Sequence, residues 1–594
     1  MRFTSDAAHR MVRSRSPAFP TFINDECFIR VQTYMTSIGY KGPVALGCDD
    51  SKLHPSLQVY WDDSIAEHIL IGTTLQRKIV IANAEELRTL LVQYNDSVAT
   101  KVSTKAHVSY HSNHMCYLKL RLWCIVIPLV GIPTIIVAAE AIANNLSAEE
   151  LHLKSRHVIE GLQTHGVNIV SYASDGAAVE RKVQDLLVSE AKAVLSIKVP
   201  DPEKQHYKIR IPLFSSNGSP VVMVQDSKHA LKTLRNNLFS GARLLVLGNH
   251  IATYSQVREI AFSDQQDSPL YRRDVEKMDR QDDNAATRLF AAKTLRFIRK
   301  HHPDDIGLTI YLFVMGEAVD AYQSRTISHL ERIKMVLRCR YFLRLWKRFL
   351  QAAGYTTANY YISREADDIL DKLIDGLLAL IYVYRDQLQS EHPLLPWMHS
   401  TEMVEHVLAE CRKLVKDFTH LNFIFMIVRL HVLVRLASDL GQGTDPKARA
   451  MGYSHSYLDS EAACLRSLAV FPSDLEIEIA AGQAWEEAVT LLGFLGIEAD
   501  DILSSPDPIS TPGQTAAPTI GDNDMEEAYE HDTEEAHEHD SDHDGGETTA
   551  AAIQRMIGYQ ELPNWSTVDP GLQDKMHALT CAAMALHVED QEML

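Results

Sequence analysis

The feature that most constrains the fold is the segment Val44–Asp50, VALGCDD, a short apolar run that ends on two adjacent carboxylates. Lys41–Pro43, KGP, precedes it with turn-forming residues, so the segment predicts a buried strand with Asp49 and Asp50 at its end. Asn168–Gly176, NIVSYASDG, predicts a second strand that ends at Asp175. Alone, neither strand says much, because aspartate ends many ordinary strands.

A third carboxylate gives the two strands their interest. Thr401–Arg412, TEMVEHVLAECR, predicts a helix that carries Glu405. Two strand-end aspartates and one helical glutamate, far apart in sequence, are the set that a two-metal phosphoryl-transfer centre requires. Hard oxygen ligands of this kind suit Mg²⁺ or Mn²⁺. The sequence therefore offers Asp49, Asp175 and Glu405 as candidate catalytic metal ligands, with Glu402 and Glu410 as rivals for the helical position.

The order of the other predicted elements indicates an α/β fold. Further strands are predicted at Leu57–Trp61, Ile69–Thr73, Leu118–Ile127, Thr134–Glu140 and Val221–Gln225, and helices at Asn145–Gly166, Gly176–Ala191 and Lys228–Phe239. Ser147 and Glu150 form a capping box that begins the first of these helices. This is the element order of an RNase H-like domain, a mixed sheet with helices on both faces. A long, almost wholly helical stretch then separates the sheet from Glu405.

At 594 residues the chain is too long for one core, and we expect several segments. They are a lead-in (1–40), an RNase H-like core (41–240), an all-helical insertion (241–396), returning helices (397–440), a helical C-terminal part (441–503), a disordered acidic linker (504–550) and a helical fragment (551–594). Gly521–Glu547 has 13 acidic and no basic residues, so it supplies most of the net charge of −20. The remaining surface is free to include basic regions.

Cysteine usage and hydropathy restrict the compartment. The eight cysteines form no CxxC pair, which favours reduced thiols in the nucleus or cytoplasm. The first residues have no apolar run of the kind that directs secretion. Leu122–Ala139 is uncharged over 18 residues, but Pro128, Gly131 and Pro133 interrupt it, so two strands are favoured over a membrane span.

Four motifs carry a resemblance to a known family. They are DDSKL (Asp49–Leu53), SDGAAVER (Ser174–Arg181), DSKHALKTLRN (Asp226–Asn236) and VEHVLAECR (Val404–Arg412). In this order the chain resembles the P-element and THAP-domain class of DNA transposases, whose RNase H-like core has a helical insertion before its last acidic residue. The second and third motifs are the more specific ones.

The resemblance implies cutting and joining of transposon DNA, dependent on Mg²⁺ or Mn²⁺, with Asp49, Asp175 and Glu405 as metal ligands. DNA is then the partner, the protein is nuclear, and a homo-oligomer is one expectation. The family's insertion is also associated with guanine nucleotide, so GTP is a cofactor by resemblance only, since no GxxxxGK[ST] loop is present.

Departures from the family pattern keep a second interpretation open. No zinc module of cysteines and histidine precedes the core, His406 replaces an asparagine, and Val407 and Leu408 replace an aromatic pair. These differences favour a domesticated, catalytically inactive transposase derivative that serves as a DNA-associated or scaffold protein. A helical adaptor without transposase ancestry is a third interpretation, which an RNase H-like sheet in the first 240 residues would exclude.

Residues around the three carboxylates complete the candidate site. Asp50, Asp226 and His229 are expected beside the ligands. Lys228, Lys232 and Arg235 recur at helical spacing and share a face, and with Arg181 and Lys182 they are predicted phosphate contacts. The alternative is a solvated helix face with a buried histidine. For the basic run Arg338–Arg348, an amphipathic core helix is favoured over a DNA contact.

Overall fold

The computed structural model describes residues 19–440 and 466–503, apart from 21, 55, 57, 63–65, 72–78, 90–117, 130–131, 216–217, 266, 277–278 and 499–501. The predicted acidic linker and C-terminal fragment, and the first 18 residues of the lead-in, therefore lie outside the described residues. The division of the chain into domains stays a prediction.

Strands and helices alternate through the first half of the described chain, and the elements of the second half are helices. The strands are β1 (Val44–Leu53), β2 (Gln58–Asp62), β3 (Glu67–Ile71), β4 (Ile79–Ile81), β5 (Leu118–Val126), β6 (Ile135–Ala143), β7 (Ile169–Ser174), β8 (Ala193–Asp201), β9 (Gln205–Leu213), β10 (Val222–Gln225), β11 (Leu245–Leu247) and β12 (His250–Ala252). The helices are α1 (Asp25–Ser37), α2 (Ala148–Thr164), α3 (Ala178–Ser189), α4 (Ser227–Phe239), α5 (Tyr254–Ala261), α6 (Arg273–Glu276), α7 (Asp283–Phe290), α8 (Ala292–His301), α9 (Ile306–Gln323), α10 (His329–Ala352), α11 (Thr357–Tyr360), α12 (Arg364–Tyr382), α13 (Glu402–Leu414), α14 (His420–Leu440) and α15 (Asp474–Phe494).

The central sheet has the order β10-β7-β1-β5-β6. β1, β5 and β6 are antiparallel neighbours, whereas β7 and β10 run parallel to β1. Three antiparallel strands followed by two parallel ones, with helices on both faces, is RNase H-like topology, so the predicted fold class is confirmed. The uncharged run Leu122–Ala139 contributes to the two strands β5 and β6, and no helix in the described residues is long and apolar enough to cross a membrane.

Hydrophobic packing covers the two faces of this sheet with different helices. On one face, here called the back, Leu46, Trp123 and Tyr172 pack against α1 and α2. On the other, the front, Ala45 and Leu122 pack against α13 and α14. Farther along the front, β7 and β10 join the large core of the insertion helices α9, α10 and α12. The insertion therefore packs directly on the sheet.

Local sequence explains where α2 begins and ends. The backbone N–H of Glu150 donates to the Ser147 hydroxyl (3.3 Å), and the Glu150 carboxylate accepts from the Ser147 N–H (2.9 Å). This confirms the predicted capping box, which satisfies two otherwise unpaired donors at the helix start. The helix ends before Gly166, whose φ of +75° favours glycine.

Three details of the sequence prediction are corrected. β1 continues through Leu53, so Asp49 and Asp50 lie within the strand and not at its end. β2, β3 and β4 form a separate three-stranded sheet. The hairpins β8–β9 and β11–β12 were not predicted, and the second lies in a stretch expected to be helical.

Candidate active site

Side chains along β1 alternate between the two faces of the sheet, and this separates Asp49 from Asp50. Ala45 and Leu53 belong to the front core, and Gly47 lies between them against α13. A Cβ at Gly47 would stand 2.7 Å from Cε of Met403 and 3.0 Å from the Ser400 carbonyl, so glycine permits this close approach. Asp49 is two residues beyond Gly47 and shares its face, because strand side chains repeat with period two.

Strand register brings Asp175 beside Asp49. Gly47 of β1 pairs with Ala173 of the parallel strand β7, so two residues farther along the chain are Asp49, within β1, and Asp175, directly after β7. The Asp175 carboxylate accepts a hydrogen bond from the Ala177 N–H (3.1 Å), immediately before α3 begins. The two aspartates thus lie at the same edge of the sheet and on the same face.

Helix α13 brings Glu405 to this face, and Asp226 fixes the start of that helix. One Asp226 oxygen accepts from the N–H and hydroxyl of Thr401 (3.0 and 2.9 Å), and the other accepts from the N–H groups of Lys228 and His229 (2.7 and 3.0 Å). Burial alone would raise the pKa of Asp226, but these hydrogen bonds hold it below its usual value. Asp226 therefore caps α4 and ties it to α13, and is a neighbour of the candidate ligands.

Most acidic side chains around this edge have a cationic partner. Glu402 pairs with Lys228 (2.5 Å), Glu410 with Lys413 (2.7 Å), Asp283 with Lys232 (3.1 Å) and Asp50 with Arg121 (3.1 Å). Within the described part of the chain, Asp49, Asp175 and Glu405 form no ion pair within 4.0 Å. The rival positions Glu402 and Glu410 are thus neutralised, and the three predicted ligands are not.

The unpaired carboxylates titrate far from their ordinary range. Desolvation, with the nearby charges of Asp175, Glu405 and Asp50, raises the pKa of Asp49 well above its usual value. Desolvation and the charge of Glu180 raise the pKa of Asp175 to about 6. Desolvation and the charge of Asp226 raise the pKa of Glu405 to about 7, although Lys232 opposes this. A cation at this edge would offset the repulsion that Asp49 experiences from Asp175 and Glu405.

The chemical type of these three groups suits a divalent metal ion. Three half-buried carboxylates without cationic partners provide the hard oxygen donors that Mg²⁺ and Mn²⁺ prefer. Among the residues described, however, no group of three or more His, Cys, Asp or Glu side chains is already arranged to hold a metal ion. The donors share one face, but their side chains do not form a ready-made cage.

The predicted phosphate-contacting residues are mostly engaged within the protein. Lys228 and Lys232 pair with Glu402 and Asp283, as above. Arg181 donates to the Gly176 carbonyl and approaches Glu365 (3.4 Å). Lys182 is exposed and pairs with Glu149 (2.7 Å).

Arg235 requires a correction. Only 2% of Arg235 is exposed, and its guanidinium donates to the backbone carbonyls of Asp274 (3.1 Å) and Asp279 (2.9 Å). The side chain stacks over Phe239 as well. Arg235 is therefore a core residue, and its predicted contact with phosphate is wrong for this conformation.

His229 explains the glycine of the SDG sequence. A Cβ at Gly176 would stand 2.5 Å from Cδ2 of His229, so glycine lets the turn after Asp175 pack directly on this imidazole. Burial lowers the pKa of His229. The histidine is thus a neutral packing partner of the Asp175 turn.

The sequence reasoning missed Arg121, which lies on the back face. Its guanidinium makes two hydrogen bonds to Glu180 of α3 (2.7 and 3.0 Å) and one to Asp50 (3.1 Å). Arg121 and Glu180 are buried. A lone arginine inside the apolar strand sequence LKLRLWCIV was the available signal, because a buried arginine needs carboxylate partners.

Comparisons with known proteins do not identify a family for the chain. No family model and no curated protein matches the chain. Among solved structures it is similar to the Drosophila P element transposase strand transfer complex, with 14% identity and a TM-score of 0.45, over 73% of this chain and 85% of that one. Similarity this distant does not establish a function, which must be argued from the side chains described above.

Proposed function

We propose that this protein catalyses metal-dependent phosphoryl transfer on DNA, in the manner of a transposase. One observation carries the proposal. At a single edge of an RNase H-like sheet, Asp49, Asp175 and Glu405 lack cationic partners among the described residues, while the acidic side chains around them are paired. Leaving carboxylates unpaired in a half-buried site costs stability, which a bound cation would restore.

In this proposal Asp49, Asp175 and Glu405 hold Mg²⁺ or Mn²⁺. When bound, such ions activate water or a 3′-hydroxyl and stabilise the leaving oxygen of a phosphodiester. β1 and β7 fix the two aspartates by register, and Asp226 orients Glu405 by anchoring the first turn of α13. Lys232 lies near Glu405 and moderates its negative charge.

DNA enters the proposal through the sequence motifs. The stretches DDSKL, SDGAAVER and DSKHALKTLRN resemble those of P-element-type transposases, which implies DNA cleavage and strand transfer, nuclear location and assembly into an oligomer. An RNase H-like sheet with acidic residues at this edge suits that chemistry, but the substrate itself rests on the motifs.

The decisive experiment is nicking of supercoiled DNA by the full chain in Mg²⁺ or Mn²⁺. Asp49→Asn, Asp175→Asn and Glu405→Gln should each lose at least about 10³-fold in rate, since each removes a metal ligand. Glu410→Gln is the matched control on α13, because its carboxylate pairs with Lys413, and it should keep most of the activity. Cleavage that survives Glu405→Gln but is lost in Glu402→Gln or Glu410→Gln would assign the helical ligand to the rival.

The domesticated, non-catalytic interpretation is the second candidate, and two observations favour it. The described side chains include no ready-made metal group, and Lys228, Lys232 and Arg235 are all engaged internally. Calorimetric titration with Mn²⁺ separates the two functions. No Mn²⁺ binding and no nicking, together with retained DNA binding, would establish the non-catalytic alternative.

A further inference from the structure

The β8–β9 hairpin has one apolar and one basic face. Ile197, Val199, Ile209 and Ile211 are buried in the core formed by the insertion helices. Alternating with them are Lys198, Lys208 and Arg210, whose side chains are exposed; these three residues are called the ribbon face below. The period-two alternation is that of a half-buried antiparallel pair.

The acidic residues of the hairpin pair with arginines outside the hairpin. Its two carboxylates, Asp201 and Glu203, both bond to α10. Arg344 donates to Asp201 (2.7 Å) and to Glu203 (2.9 Å), and Arg348 donates to Glu203 (2.5 Å). These bonds hold the turn of the hairpin against the insertion and leave the ribbon face without a carboxylate of its own hairpin.

The ribbon face places like charges against each other. Lys198 lies directly opposite Lys208 in the β8–β9 register, and Arg210 follows opposite Ser196. Like charges in directly opposed positions destabilise a strand pair. Within the described residues none of the three cations forms an ion pair within 4.0 Å, in contrast to Lys228 and Lys232. Stability of the fold therefore does not account for this arrangement.

Protection of exposed strand edges is the plain alternative. Lysines on edge strands discourage pairing with other chains. That purpose needs a charge on each strand, but it does not need two lysines facing each other or a third cation beside them. A concentration of positive charge on one face would instead attract a polyanion.

The β8–β9 hairpin is inserted between two elements of the RNase H-like core, α3 and β10. The hairpin follows the end of α3 at Ser189 and precedes the start of β10 at Val222. The Val221 N–H donates to the Pro212 carbonyl (3.1 Å), so the end of β9 leads directly into the central sheet. The hairpin is thus anchored on the same sheet that carries the candidate site.

We propose that the ribbon face binds the phosphate backbone of duplex DNA. This rests on the proposed function only in naming DNA as the polyanion. Lys208 and Arg210 are two residues apart on one strand, about 7 Å, which is the axial rise of about two nucleotides. Lysine and arginine contacts to phosphate position a duplex without reading its sequence.

The test compares two triple variants of the full chain that remove equal charge. Lys198→Gln/Lys208→Gln/Arg210→Gln changes the ribbon face. Lys293→Gln/Arg296→Gln/Arg299→Gln changes exposed cations of α8. Fluorescence anisotropy with a labelled duplex is measured over a range of salt concentrations, in EDTA, so that catalysis does not enter.

The ribbon variant should bind at least about 10-fold more weakly at low salt, and its plot of log affinity against log salt should be shallower by about 3, since each phosphate contact contributes about 0.9. The α8 variant should change both quantities much less. Equal losses in the two variants, or no loss in the ribbon variant, would overturn the proposal.

A single substitution separates binding from edge protection. Lys208→Glu places a carboxylate directly opposite Lys198 in the β8–β9 register. The melting temperature should therefore rise slightly while DNA affinity falls. Unchanged DNA affinity in Lys208→Glu, with aggregation in the Gln triple variant, would show that the ribbon face only protects edges. These measurements use binding alone, so they can be interpreted even if the protein never nicks DNA. Conversely, failure of the ribbon-face proposal leaves the nicking experiment unaffected.

Discussion

Asp49 and Asp50 are neighbours on one strand, yet they have opposite environments. Asp50 points to the back of the sheet, where Arg121 bonds to it and to Glu180. Asp49 points to the front, where the charges of Asp175 and Glu405, together with that of Asp50, raise its pKa beyond the effect of burial. On the back, burial raises the pKa of Asp50 to about 6 although Arg121 pairs with it, whereas on the front the described residues give Asp49 no paired cation. Under the proposed function, the front is the side on which a divalent cation would bind.

The largest expected effect comes from removing the cation that pairs with Asp50 and Glu180 on the back of the sheet. Arg121→Met should lower the free energy of unfolding by about 3–5 kcal/mol, because Asp50 and the buried Glu180 lose the cation that they share. Urea denaturation measures this. Adding Asp50→Asn and Glu180→Gln to Arg121→Met should recover most of the loss. A loss below about 1 kcal/mol for Arg121→Met would mean that the back network contributes little.

On the front, the same kind of change should have the opposite sign. Glu405→Gln should raise the free energy of unfolding by about 1 kcal/mol, which is less than its pKa displacement would give, since the half-exposed group is screened by solvent. Thermal denaturation without divalent ions is the measurement. Glu410→Gln, which breaks a pair with Lys413, is the control and should not stabilise. A destabilised Glu405→Gln would mean that this carboxylate already has a role in the fold.

The pH dependence sharpens the difference further. An unfolded Asp or Glu has a pKa of about 4, whereas folding raises the pKa of Asp175 to about 6 and that of Glu405 to about 7. The folded state therefore binds more protons between about pH 4 and pH 7, and stability relative to the Asp175→Asn/Glu405→Gln variant should fall as pH rises through that window.

Divalent ions provide the complementary measurement. Mg²⁺ should raise the melting temperature of the wild-type chain at pH 7.5, where the carboxylates are charged, and much less at pH 5, where protons occupy them. The double variant should show neither effect. A Mg²⁺ effect of the same size in both proteins would place the ion elsewhere.

The smallest expected effect concerns Lys228, which pairs with Glu402 beside the candidate ligands. Lys228→Gln should cost only about 1 kcal/mol or less, because its pair with Glu402 is partly exposed. It should leave DNA affinity nearly unchanged, since the ammonium group is already engaged. A large loss of DNA affinity would restore Lys228 as a phosphate contact and would weaken the case for the ribbon face. Anisotropy at fixed salt decides this.

The sequence allowed the sheet to be predicted, because apolar runs, a capping box and acidic turns are local signals. The motifs also singled out Asp49, Asp175 and Glu405, whose role as metal ligands stays a prediction. The sequence did not reveal which charges neutralise each other. Arg344 bonds Asp201 across 143 residues and Lys228 bonds Glu402 across 174, so a basic helix face looked available when its partners were distant. The β8–β9 hairpin has a clear period-two pattern that was simply missed.

The position of α13 has a consequence for synthesis of the chain. Ser51 of β1 accepts a hydrogen bond from Arg412 of α13, 361 residues later. At about 5–20 residues per second, a ribosome needs roughly 20–70 s to make that interval. Throughout that time the front of β1 has no α13 to cover it, so nascent chains should depend on chaperones until Arg412 has emerged. Ribosome-bound chains stalled before residue 401 should therefore be protease-sensitive at β1, and those stalled well beyond residue 440 should be protected.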